Sequence, residues 1–215
     1  MNKKSIFIVS LVLVLLIFDQ ILKIWVKTNM FLGEEIPVFG EWFKLHFIEN
    51  EGMAFGIVFF DGYFGKLLLT SFRLLASVGI GWIIYKMLKQ NVSWGLLICT
   101  SLVFAGAIGN IFDCIAYGKI FSASYFGHIA TLFPEQGYAP VFQGKVVDMF
   151  HFDLFMINFP KWLPFWGGTS MSFFPAIFNI ADSCITIGLF ALILFYHKSL
   201  SAFIDTFEKS EKHKK

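Results

Sequence analysis

The chain has 215 residues, a formal net charge of +2 and 57% hydrophobic residues, with a mean hydropathy of +0.69. Soluble domains carry about 45–50% apolar residues, so this composition excludes an ordinary water-soluble domain and places the chain in a membrane. The small charge and the 15% of charged residues exclude a basic nucleic-acid face. The length gives room for one domain, 1–215, and Cys99, Cys114 and Cys184 have neither zinc-site spacing nor the even count of a disulfide framework, so they read as small apolar fillers.

Lys3 and Lys4 precede the apolar run Ile6–Phe18, as in a secretory signal peptide. No small-residue cleavage site follows. Instead Asp19-Gln-Ile-Leu-Lys-Ile-Trp-Val extends the run to roughly the length that spans a bilayer, which predicts a retained transmembrane helix over 5–27. Asp19 and Lys23 lie four apart in the favourable acid-before-base order and read as a structural ion pair.

Residues 28–65 hold no spanning run and are assigned to the outer face. Within them Trp42-Phe-Lys-Leu-His-Phe-Ile48 alternates, with Phe43, Leu45 and Phe47 on one side and Lys44 and His46 on the other, the period of a strand. Gly33, Pro37 and Gly40 punctuate the segment as turns, and Asn50-Glu-Gly-Met-Ala-Phe-Gly56 follows. Two readings of that stretch stand: a hairpin bend, or Asn50 as a substrate-positioning amide beside Gly52 and Gly56, where backbone can come close.

A second span is predicted over 66–88, interrupted by Arg73, which either snorkels to the interface or neutralises a buried acid. The third runs over 94–118. Its Gly106 and Gly109 allow close helix approach, and Asn110 and Asp113 share a face. Residues 119–174 form a long outer-face region with Tyr and Trp residues suited to a membrane interface; in it Lys145–Phe155 reads as a strand presenting Asp148. The fourth span, 175–197, opens on Phe178-Asn-Ile-Ala-Asp182, which sets Asn179 and Asp182 on one helix face, and 198–215 is a lysine-rich tail. Lys3, Lys4, Lys86, Lys89 and the tail lysines fall on one side of these spans, which makes that side, with both termini, cytoplasmic.

Acids in or beside apolar segments are costly and mark sites. If Asp148 and Asp182 face each other they share a proton, so one acts as base and the other as acid, which suits hydrolysis of a peptide bond by a held water. His46, His128 and His151 have no nucleophile partner evident in sequence, and Asp148 with His151 lacks a third metal ligand at suitable spacing, so no metal or cofactor is expected.

These residues carry a resemblance. Asp19 with Lys23, Asn50-x-Gly-x-Ala-Phe-Gly56, Gly109-Asn-x-x-Asp113, Gly144-x-Val-Val-Asp148 and Phe178-Asn-x-Ala-Asp182 together resemble the ordered motif set of bacterial lipoprotein signal peptidase, signal peptidase II. The loop 121–143 and the aromatic stretch 160–174 resemble Bacteroidetes versions. The resemblance implies a mainly α, integral inner-membrane protein with four transmembrane helices, a small outer-face β-cradle and a long periplasmic loop. It also implies an aspartyl endopeptidase that cleaves diacylglyceryl-modified prolipoproteins before the lipidated cysteine, with Asp148 and Asp182 catalytic. Asn50, Gly52, Asn110, Asp113 and Asn179 match substrate-binding or pair-supporting positions; the partners are the prolipoproteins and membrane lipid, and the chain is expected to act as a monomer. One position departs: where the family usually has Arg after the acid of the third motif, this chain has Cys114. The competing function is a small proton-coupled transporter, which four spans with membrane acids also fit, though no inverted repeat is evident.

Overall fold

The computed structural model describes residues 3–51 and 62–212. The protein is mainly helical with a small sheet. Its elements are α1 (Lys3–Asn29), β1 (Glu35–Phe39), β2 (Phe43–Asn50), α2 (Gly62–Lys89), α3 (Trp94–Phe112), a π-helical turn (Asp113–Tyr117), the short α4 (Gly118–Ile120), β3 (Val146–Phe152), β4 (Met156–Asn158), β5 (Ser170–Ser172), β6 (Ile177–Phe178), α5 (Ile180–Phe195) and α6 (His197–Lys212). They fall into two compact units: Met1–Ile21 with Gly62–Phe112 and Ile180–Lys215, and Leu22–Asp61 with Asp113–Asn179.

The first unit is helical. Lys3–Asn29, Gly62–Lys89 and Trp94–Ile120 are each long and apolar enough to cross a membrane. They turn large apolar side chains outward, among them Phe18, Phe64, Phe72 and Leu75, a surface that hydrocarbon accommodates and water does not. Ile8, Ile84, Met87, Leu96, Leu97, Leu192 and Phe203 form the core. Helices α3 and α5 meet closely because Gly106 and Gly109 remove the side chains that would keep them apart. A Cβ on Gly106 would run into the carbonyl oxygen of Ala181, and one on Gly109 would come within 2.9 Å of Asp19 Oδ2 and 3.2 Å of the Ala181 Cβ.

The run read from sequence as a helix over 175–197 divides. Ile177 and Phe178 pair with His151 and Phe150 of β3, so the helix begins only at Ile180. With 16 residues α5 is about 24 Å long, shorter than a hydrocarbon core of about 30 Å. It is followed by α6 at a bend of 84°, so the polar, lysine-rich tail is helical through Lys212.

The second unit is built on an antiparallel sheet in the order β1-β2-β3-β6, beside a β4-β5 hairpin. Pro37 lies inside β1 instead of in a turn; β1 is an edge strand, where a residue without an N–H is tolerated. Gly33 and Gly40, with φ of +87° and +53°, make the bends on either side. Between Leu45 and Ile48 the register against β3 slips by one residue, from Leu45↔Phe150 to Ile48↔Asp148. This bulge interrupts the alternation expected through Ile48 and sets what lies opposite Asp148. Val26, Met30, Phe47, Tyr117, Phe121, Val147 and Met149 form the core of this unit. The long segment after α4 is held by its own backbone bonds, such as Ser122 N to Thr131 O at 3.1 Å and Phe133 N to Ile120 O at 2.8 Å.

Candidate active site

In the second unit Asp148 is buried on β3, 1% exposed, and both of its oxygens are taken. Asn179 Nδ2 donates to Oδ1 at 2.6 Å and Asn50 Nδ2 to Oδ2 at 3.2 Å. Asn179 also donates to Val147 O at 3.2 Å, so it holds the strand and the acid together. A buried carboxylate with amide donors on both oxygens is fixed in orientation and its charge is partly compensated.

Asp113 lies one step behind. Fully buried, its Oδ2 is 2.8 Å from Lys23 Nζ and accepts from Val147 N at 3.4 Å, so the ion pair anchors the residue next to Asp148. The chain can reach this geometry because Asp113 opens the π-helical turn, a wider coil that re-aims side chains and is common at functional sites. Gly144 packs against that turn: its N–H donates to Cys114 O at 2.8 Å, and a Cβ there would meet the Asp113 carbonyl oxygen. The Cys114 thiol is buried and forms no disulfide.

In the first unit Asp182 sits half-buried in the first turn of α5, where the helix dipole favours negative charge. Asn110 Nδ2 donates to its Oδ1 at 2.7 Å. The other acid here has a role that sequence reading missed: Asp19, 2% exposed, accepts from Ala181 N at 3.0 Å and therefore caps α5 from another helix, satisfying one of its orphan N–H groups. Gln20 Nε2 donates to the same carboxylate at 3.1 Å. Lys23 is thus bound to Asp113 and Asp19 to the start of α5, roles wider than a pair within one helix. Arg73 lies half-buried on α2, and Gly52 falls outside the described residues.

Sequence reading also passed over Lys27 and Glu49. Buried Lys27 pairs with Glu49, donates to Ser124 Oγ at 2.8 Å, and lies over the rings of Phe121 and Tyr138 at 5.3 and 4.9 Å. Lys145 Nζ reaches the other Glu49 oxygen at 3.8 Å. The signal available was an acid one residue before Asn50, but nothing local names a partner 22 residues away. Burial pushes the Tyr138 phenol up, so it stays neutral and accepts from Lys145 N at 2.8 Å.

A separate cluster on the sheet, Glu35, His46 and His151, brings one donor atom from each residue within 4.8 Å of the other two. His151, considered with Asp148 in the sequence, gathers instead with Glu35 and His46 of the neighbouring strands. Burial lowers the His46 imidazole below its ordinary value, against the pull of Glu35, which raises it.

Residues 11–198 match the sequence model of signal peptidase (SPase) II. The chain belongs to the signal peptidase II family. It is 48% identical over 200 residues to the lipoprotein signal peptidase of Porphyromonas gingivalis, covering 92% of this chain and 86% of that one. It is 36% identical over 216 residues to the lipoprotein signal peptidase of Amoebophilus asiaticus, covering 98% and 86%. Two bacterial membrane enzymes solved by the in meso method share the fold of this signal peptidase II family member. One, at 2.3 Å resolution, has a TM-score of 0.59 and 22% identity over 91% of this chain and 90% of that one. The other, at 1.9 Å, has a TM-score of 0.55 and 24% identity over 87% and 90%. The chain is therefore a membrane peptidase of this family, and the transporter reading falls.

Proposed function

We propose that the protein is an intramembrane aspartyl endopeptidase that removes the signal peptide of diacylglyceryl-modified prolipoproteins, cleaving before the lipidated cysteine, with Asp148 and Asp182 as its catalytic pair. The observation that carries this reading is the provision of amides: Asn179 and Asn50 on Asp148 and Asn110 on Asp182. An amide donor orients a carboxylate without neutralising it, leaving the acid free to exchange a proton, whereas a lysine would hold it permanently charged. The two lysine-bound acids, Asp113 and Glu49, are accordingly assigned to support.

In the reaction the ionised acid of the pair takes a proton from water as it attacks the scissile carbonyl. The protonated acid hydrogen-bonds the developing oxyanion and delivers its proton to the leaving amine. The two acids exchange states over one turnover, and no covalent enzyme intermediate forms.

The same reading gives four spans, with the bent α5–α6 pair supplying the fourth: α5 enters the bilayer and α6, carrying Lys198 and Lys209, lies along the cytoplasmic surface. The sheet and the segment 119–174 lie on the periplasmic face of the inner membrane. There the exposed Trp162, Phe165 and Trp166 rest in the lipid interface. The enzyme works as a monomer.

Asp148→Asn and Asp182→Asn test the pair. Each should abolish cleavage of a lipidated prolipoprotein by purified protein in detergent, since an amide neither takes nor gives the proton, while thermal unfolding still reports a folded protein. Near-parental turnover in either variant would remove that acid from the chemistry.

A further inference from the structure

We propose that Glu35, His46 and His151 form a binding site for a transition-metal ion of the zinc class on the four-stranded sheet. The strands bring the three residues together. Glu35 of β1 stands opposite His46 of β2, and His151 of β3 stands opposite Lys44, two residues before His46, so the three project from adjacent strands on one face. One donor atom from each lies within 4.8 Å of the others, and the two imidazole rings are 5.6 Å apart, centre to centre.

Two further observations point to a ligand. His46 Nδ1 and His151 Nδ1 are both buried without a hydrogen bond, although Glu35 Oε1 is only 3.2 Å from His46 Nδ1. Buried polar atoms are nearly always partnered, and a metal ion supplies the partner that two facing imidazoles cannot give each other. The second observation concerns Glu35. Its Oε2 is 3.3 Å from Lys44 Nζ, so one oxygen is oriented by the lysine while Oε1 faces His46, the outer-shell support that metal-binding carboxylates require.

The donor set selects the ion. Two imidazoles and one carboxylate suit zinc and its neighbours, while magnesium and calcium take oxygen ligands. Zinc holds such ligands at about 2.0–2.2 Å, so small side-chain rotations close the cluster onto the ion. Three protein ligands leave a fourth position for water. The ion would clamp β1 to β2 and β3 three residues along from Asp148, and its role is to brace the strand that carries the acid, with no part in the proton transfers proposed for the pair.

The test uses full-length protein in detergent, stripped of metal and of any affinity tag, titrated with Co2+ as a spectroscopic stand-in and then with Zn2+. The expected result is visible absorption bands of a low-coordinate Co2+ site saturating at one equivalent and abolished by Zn2+. His46→Ala and His151→Ala should each weaken binding by more than about 100-fold, since loss of outer-shell partners alone costs about 10–100-fold. His128→Ala, which removes a histidine stacked on Tyr125, should leave it unchanged. Far-UV circular dichroism establishes that the variants are folded. Absence of the bands in the parent, or bands that persist in the folded His46→Ala/His151→Ala double variant, would overturn the site.

Discussion

Asp148 and its two amides set the terms at the scale of single residues. Asn179 serves two acceptors at once, Val147 O and Asp148 Oδ1, and truncating it leaves both without that donor in a buried place. An unsatisfied buried group costs about 1–3 kcal/mol, so Asn179→Ala should lower thermal stability by that order and reduce kcat about 10–100-fold. Steady-state cleavage and unfolding in detergent check both effects. Cys114 poses the opposite case. Its backbone carbonyl, which any residue supplies, accepts from Gly144, and a buried cysteine on a helix packs as a small hydrophobe; Cys114→Ala should therefore cleave within about threefold of the parent. The resemblance leads one to expect a cation after Asp113, where this chain has Cys114, and Arg73 is the candidate we propose for that role. On that assignment Arg73→Ala impairs cleavage while Cys114→Ala does not; a fully active Arg73→Ala variant would mean that the site works without the cation.

Among the elements, β3 is the one that the buried charges hold in place. Asp113, paired with Lys23, receives the N–H of Val147, and the next residue is Asp148. Removing one partner of a buried ion pair leaves an uncompensated charge, at a cost of about 3–5 kcal/mol. Lys23→Met should accordingly lower the unfolding midpoint strongly. A Lys23→Met/Asp113→Leu double variant should recover much of that stability, because the stranded charge is gone, yet remain poorly active because β3 has lost its anchor. Equal stability of the single and double variants would show that the stranded Asp113 charge is not what destabilises Lys23→Met. In the alternation of Trp42–Ile48 a strand was legible in sequence; the bulge between Leu45 and Ile48 was not, because it arises from pairing with a segment about 100 residues away. The start of α5 was misread for a similar reason: Ile177 and Phe178 are apolar enough to extend a helix, but β3 offers them a backbone partner first.

For the whole molecule, the proposed orientation rests on where the lysines sit. Reporter fusions provide the check: a reporter active only in the cytoplasm should work after Gln90 and after Lys215, and one active only in the periplasm should work in the loop near Gln136. The reverse pattern would place the sheet and Asp148 in the cytoplasm. The outward apolar surface of α1 and α2 belongs to the same argument, because side chains such as Phe72 and Leu75 have solvation that only lipid makes favourable.

The membrane class, the apolar segments and the family were legible in the amino-acid sequence. Each of those is a local property: hydropathy summed over a window, or residue types at fixed short spacing. Which group holds which was set by folding. Lys23 meets Asp113, Asp19 caps a helix that begins 161 residues later in the chain, Lys27 meets Glu49, and Glu35, His46 and His151 converge from three strands. Buried charges and orphan backbone groups must find partners wherever folding brings them. Their partners are selected by sheet register and helix packing, which no short stretch of sequence encodes.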